Sequence, residues 1–226
     1  MSVVLYAGSD RSSSTAPGRT TRHSFSFGGH YDPANLGFGP MVCHNDDALA
    51  PGGGYPDHPH TDLEVVTWVL EGVLLHTGST GERHALGAGR AQVLSAGSGV
   101  RHAEVADPAS GPCRFVQTWL APTVPGGDPS YVAGPAPEAY DGLVEVVGGA
   151  GLPVGTAGAR LLVARLVPGE VVTLPEGPRQ HVFVATGDAV VGGVDAGAGD
   201  ALRVTDEPGH EVRARSAAEV LVWAFG

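Results

Sequence analysis

Short runs of valine, leucine and alternating polar residues, cut every few positions by glycine or proline, recur along the whole chain. Helical periodicity is nearly absent, so the pattern is that of a β protein. The runs predict strands over residues 64–70, 73–76, 91–95 and 114–120, and a second set over 160–167, 181–185, 201–205, 211–215 and 219–225. Between the sets, residues 121–139 hold five prolines and three glycines and predict a linker. The two sets resemble each other. LGAGRAQVLS at 86–95 can be laid on AGAGDALRVT at 196–205 with an offset of 110, and the turn at Leu70-Glu71-Gly72 stands roughly opposite Thr186-Gly187. A duplicated small β-barrel explains this better than one large sandwich. The expected organisation is an N-terminal domain over 1–125, a linker over 126–140 and a C-terminal domain over 141–226.

Composition agrees. The chain has 226 residues with 35 glycines and 18 prolines, which suit many strands joined by tight turns. Thirteen basic residues, all arginine, stand against 24 acidic ones for a net charge of -11, which argues against direct nucleic-acid binding but not against a protein partner. Cys43 and Cys113 are seventy positions apart and form no metal or redox motif, so two buried thiols in a reducing cytoplasm are expected. The first residues are too weakly apolar for a signal peptide and no run approaches a membrane span, which predicts a soluble cytoplasmic protein.

The chemistry concentrates in two triplets, His58-Pro59-His60 and His102-Ala103-Glu104. Residues at i and i+2 of a strand share a face, so neighbouring strands would aim three imidazoles and a carboxylate at one point. Such a set suits iron, nickel, copper, zinc or manganese, and its hard carboxylate favours Fe(II) or Mn(II). Carried forward by 110, His102 falls on Val212 and Glu104 on Ala214, and the second half holds only His181 and His210; the metal is expected in the first barrel alone. Other candidates read as structural. Alternation separates Cys43 from His44, Trp68 and Trp119 suit core packing, and Asn45-Asp46-Asp47 reads as a solvated turn.

Gly54-x3-His58-x-His60-x3-Glu64 followed by Gly72 is close to the first cupin motif, and Gly97-x-Gly99-x2-His102 to the second. With HSFSFG at 23–28, YDP at 31–33, VLEG at 69–72 and SAGSGVRH at 95–102, the chain resembles the pirin family, including its bacterial quercetinase-like members. The resemblance implies an all-β fold of two tandem cupin (double-stranded β-helix, or jelly-roll) barrels, with one non-haem iron held by His58, His60, His102 and Glu104. Glu64 stands where many cupins place a ligand, but in pirin-like proteins the later glutamate takes that role. Thr61, Ala103 and Gly78 depart from the family's HPHR, HSE and HxDS patterns; none removes a ligand, but the first two alter its surroundings. The implied activity is that of a quercetin 2,3-dioxygenase: Glu104 acts as base on a flavonol or related phenolic, and O2 opens the ring with release of carbon monoxide. The alternative is a non-enzymatic redox-sensing regulator that binds a protein partner, or a metal that only stabilises the barrel.

Overall fold

A computed structural model describes residues 2–79, 81–206 and 209–226. Among these the chain forms 21 strands and no α-helix. The first twelve strands are β1 (Ser2–Tyr6), β2 (Ser12–Ala16), β3 (Arg19–His23), β4 (Met41–Leu49), β5 (Gly54–His60), β6 (Glu64–Glu71), β7 (Val73–Gly78), β8 (Arg83–Gly87), β9 (Ala91–Ser95), β10 (Val100–Ala106), β11 (Cys113–Leu120) and β12 (Ser130–Ala133). The rest are β13 (Val144–Val147), β14 (Ala159–Leu166), β15 (Val171–Thr173), β16 (Arg179–Thr186), β17 (Asp188–Val191), β18 (Val194–Gly197), β19 (Ala201–Thr205), β20 (Glu211–Ala214) and β21 (Ala218–Phe225).

The strands divide between two compact units, each a cupin barrel. The first barrel sets a seven-stranded sheet, β12-β9-β6-β11-β4-β3-β2, against a four-stranded one, β5-β10-β7-β8. Its apolar end is closed by Leu49, Val69, Leu74, Leu86, Cys113 and Phe115. The second barrel sets β1-β19-β16-β21-β14-β13 against β15-β20-β17-β18. Its interior is continuous hydrocarbon, including Val182, Val191, Leu202, Val212 and Val222. Burying each such side chain contributes roughly 1.5–3 kcal/mol, which is how a barrel of short strands holds its shape.

The domain limits differ from those drawn from the sequence. Strand β1 pairs with β19, so the start of the chain belongs with the second barrel. The proline-rich linker contains β12, which pairs with β9 and extends the first barrel's large sheet. Residues 152–157 also belong to the first unit. Edge strands of four or five residues carry little periodicity of their own, and their place is fixed by the sheet they complete.

The internal repeat is real, but its register shifts along the chain. Arg90 and Asp200 accept matching backbone bonds from Val69 and Val184, which bears out the offset of 110 over the glycine-rich turn. Farther on, Ala106 bonds to Gly53 and Gly52 as Ala214 does to Glu170 and Gly169. These two alanines, Ala106 and Ala214, are 108 apart. His102 therefore corresponds to His210, and Glu104 to Val212, two positions away from the sequence alignment. Between the glycine-rich turn and these alanines the second barrel is two residues shorter, Asp200 to Ala214 against Arg90 to Ala106.

Candidate metal centre

Pairing of β5, β10 and β7 builds the centre. His102 on β10 lies opposite His58 on β5, and Glu104 lies opposite His76 on β7. Between these rungs β5 carries a bulge, since His102 and Glu104 face His58 and Tyr55. The approach is close: a Cβ on Gly54 would overlap the Glu104 carbonyl oxygen, and its φ of +154° is one that glycine tolerates.

The bulge aims the imidazoles. The Nδ1–H of His58 donates to the Pro56 carbonyl at 2.8 Å, leaving Nε2 as its ligand atom. That Nε2 stands 3.0 Å from Nε2 of His60. Two nitrogens bound at right angles to one ion, each about 2.1 Å from it, would be about 3.0 Å apart. His102 packs its ring against both, with centroids 4.5 and 5.0 Å away. It is 1% exposed, and neither of its ring nitrogens has a hydrogen-bond partner. Burial and the nearby imidazoles push both His60 and His102 down to about 4, so both are neutral and their lone pairs free at pH 7.

Glu104 is held from behind. Its Oε1 accepts from the Gln92 amide at 2.5 Å and its Oε2 from the Gln117 amide at 2.7 Å. Both amide orientations are determined by their other partners. The Trp119 indole N–H, a donor only, bonds Gln117 Oε1 at 2.9 Å, and the Tyr131 hydroxyl donates to Gln92 Oε1 at 2.8 Å. Trp119 also presents its ring edge to His60, with centroids 5.0 Å apart. A buried carboxylate with both oxygens satisfied keeps a fixed direction.

The donors fall into two overlapping groups. Ligand atoms of His58, His60 and His102 lie within 4.8 Å of one another, as do those of His76, His102 and Glu104. His102 is common to both. Trans ligands of one ion stand about 4.2 Å apart, so only a small contraction separates each group from coordination. The donor chemistry fits a divalent transition ion.

The remaining sequence candidates sort clearly. Glu64 lies outside both groups, and its Oε2 accepts from Ser95 Oγ at 2.6 Å and from Gly155 N–H at 3.0 Å. Cys43 and Cys113 are buried and form no disulfide, and burial pushes the Cys113 thiol up to about 12. Asn45, Asp46 and Asp47 are not a solvated turn. They lie buried on β4, where Asn45 bonds His23, Arg114 clamps Asp46 at 2.9 and 2.8 Å, and Asp47 accepts from Thr21 and Tyr55. Trp68 is core, as expected, but Trp119 belongs to the centre. Sequence reasoning misses Gln92, Tyr131 and His76. The available signal is a glutamine or histidine inside an otherwise apolar strand, which needs a buried partner.

Known proteins resemble this chain along nearly its whole length. The family model described as Pirin matches residues 7–120, and that described as the quercetinase C-terminal cupin domain matches 156–223. A Mycobacterium tuberculosis protein provisionally named a quercetin 2,3-dioxygenase is 40% identical over 98% of this chain and 94% of its own. The quercetin 2,3-dioxygenase of Escherichia coli K12 is 32% identical, with 89% of each chain covered. The crystal structure of the E. coli bacterial pirin YhhW, in complex with nickel(II), superposes with a TM-score of 0.91 at 29% identity over 99% of both chains. Among the described residues no helix is long and apolar enough to cross a membrane. With a pirin match over half its length and relatives aligned nearly end to end, this chain belongs to the pirin family of two-barrel cupins.

Proposed function

We propose that His58, His60, His102 and Glu104 hold one divalent transition ion, iron(II) in the working protein, and that the first barrel opens a flavonol in the manner of a quercetin 2,3-dioxygenase. The carrying observation is His102, buried, without a hydrogen bond, and common to both donor groups. The name of the E. coli relative supports the substrate class, and the nickel complex of YhhW supports a metal in this fold.

A bound ion supplies Lewis acidity and an electron path from an ionised enol to dioxygen. The chain's own residues do the rest. Glu104 takes the proton of the acidic hydroxyl, and the amides of Gln92 and Gln117 keep its oxygens aimed while it does so. Trp119 offers a flat apolar wall beside His60, suited to a planar aromatic substrate. No lysine, phosphate-binding loop or second cofactor motif is needed, since the substrate supplies the electrons.

The test is oxygen uptake and carbon monoxide release by the iron(II)-loaded protein given quercetin. Turnover that disappears in His102→Ala, together with the metal, is expected. A full complement of metal with no turnover on any flavonol would move the assignment to a protein-binding regulator. Stoichiometric metal retained in both His58→Ala and His102→Ala would remove the centre itself.

A further inference from the structure

One imidazole in the barrel lies outside the four-ligand set. His76 is fully buried, and neither of its ring nitrogens has a hydrogen-bond partner. A carboxylate oxygen of Glu82 is 3.9 Å from Nε2, beyond hydrogen-bond reach. A buried polar ring is costly to leave unsatisfied, and a packing role would be filled better by an apolar side chain. The second barrel supplies that comparison. Val191 lies opposite Val212 there as His76 lies opposite Glu104 here, and both valines sit in the hydrocarbon core. The fold accepts valine at this position, so the histidine is not demanded by the architecture.

Its neighbours show what it is suited to do. The ligand atom of His76 lies within 4.8 Å of those of His102 and Glu104. Its ring packs at a tilt against Tyr131, 4.4 Å between centroids, and lies 5.2 Å from that of His102. Tyr131 in turn orients the amide that holds Glu104. Ring position and carboxylate direction are thus set by the same residue.

We propose that His76 is a metal ligand, completing an inner seat of His76, His102 and Glu104 behind the outer seat of His58, His60 and His102. This rests on the reading of the barrel interior as a metal centre and extends it: one ion has two three-ligand positions sharing His102. Glu104 and His76 form the next rung along β10 from His102 and His58, so this inner set would hold an ion without the outer pair.

Cobalt(II) titration of metal-free protein tests this, with bound metal measured by equilibrium dialysis and visible absorption. Wild type should bind one equivalent. His58→Ala/His60→Ala should still bind about one equivalent, more weakly and with an altered spectrum, and adding His76→Phe should abolish binding. Phenylalanine keeps an aromatic ring against Tyr131, and near-ultraviolet circular dichroism checks that the barrel remains packed. A second set with glutamine at positions 58 and 60 guards against collapse of the outer seat. In the double variant labelled with 15N-histidine and loaded with zinc, the His76 ring nitrogens should shift. If wild type binds cobalt but the double variant binds none, the inner seat is wrong and the four-ligand centre stands; if the triple variant binds as much as the double, the inner seat is wrong and that cobalt is held elsewhere. Unshifted His76 nitrogens in the loaded double variant would also overturn it. If wild type binds no cobalt, both readings fail.

Discussion

Asp47 shows how far a single residue can depart from what its sequence neighbours suggest. Three polar residues in a row read as a turn, yet β4 carries them through the barrel wall and buries Asp47 against Thr21 and Tyr55. Loss of water pushes its carboxyl up to about 7, with the charges of Glu104 and Asp46 adding to the effect and its two hydroxyl donors opposing it. Oδ2 accepts no hydrogen bond and is the oxygen left to carry the proton. The unfolded chain gives that proton up near 3.8. Between about pH 4 and 7 the folded state therefore holds a proton that the unfolded state lacks, and stability falls as pH rises through this window. Each pH unit of that window is worth about 1.4 kcal/mol, so the loss reaches a few kcal/mol. Thermal unfolding of the metal-free protein from pH 5 to 8 should show it, and Asp47→Asn should flatten that slope. An unchanged slope would remove the assignment. At this scale the two candidate triplets are legible because they are local, i and i+2 on one strand. The residues that hold Glu104 are not, because Gln92, Gln117 and Tyr131 meet it only across strands.

Strands are the most legible elements, and their register the least. Residues 91–95 and 201–205 form strands with the limits the pattern predicts, and the other predicted strands shift by a few residues at their ends. What no strand announces is which residue it faces. The centre depends on His102 meeting His58 while Glu104 meets Tyr55 across the β5 bulge, and that offset is enforced by the backbone of Gly54. Gly54→Ala drives a methyl group into a carbonyl oxygen at a positive φ, so β5 must slide or peel away from β10. The expected loss exceeds about 1 kcal/mol in urea unfolding. Metal affinity should fall with it, because His58 and His60 ride on the displaced strand. Wild-type affinity in a destabilised Gly54→Ala would show that the bulge does not position the ligands. Pro56 contributes to the same device through its carbonyl, which fixes the His58 tautomer.

Two barrels of one design divide between chemistry and packing, and the division follows from what lines each interior. Thr67, His76, Gln92, Glu104 and Gln117 surround the centre of the first. Matching registers in the second put Val182, Val191, Leu202, Val212 and Val222 in those places, leaving His210 as the one polar counterpart among them. A carboxylate is tolerated in the first interior because two amides are already aimed at it. The same group in the second meets only methyl groups. Val212→Glu is the direct test, since it copies Glu104 into its counterpart position. With no amides aimed at it, the buried carboxylate should cost roughly 3 kcal/mol or more of stability, or stay protonated well above its ordinary range. Denaturant unfolding measures the loss, and metal analysis of the same variant should still find one ion per chain. A second equivalent would mean that one carboxylate beside His210 suffices to make a site. One equivalent would place the capacity for metal in the whole lining of the first barrel, including the amides and the tyrosine behind Glu104.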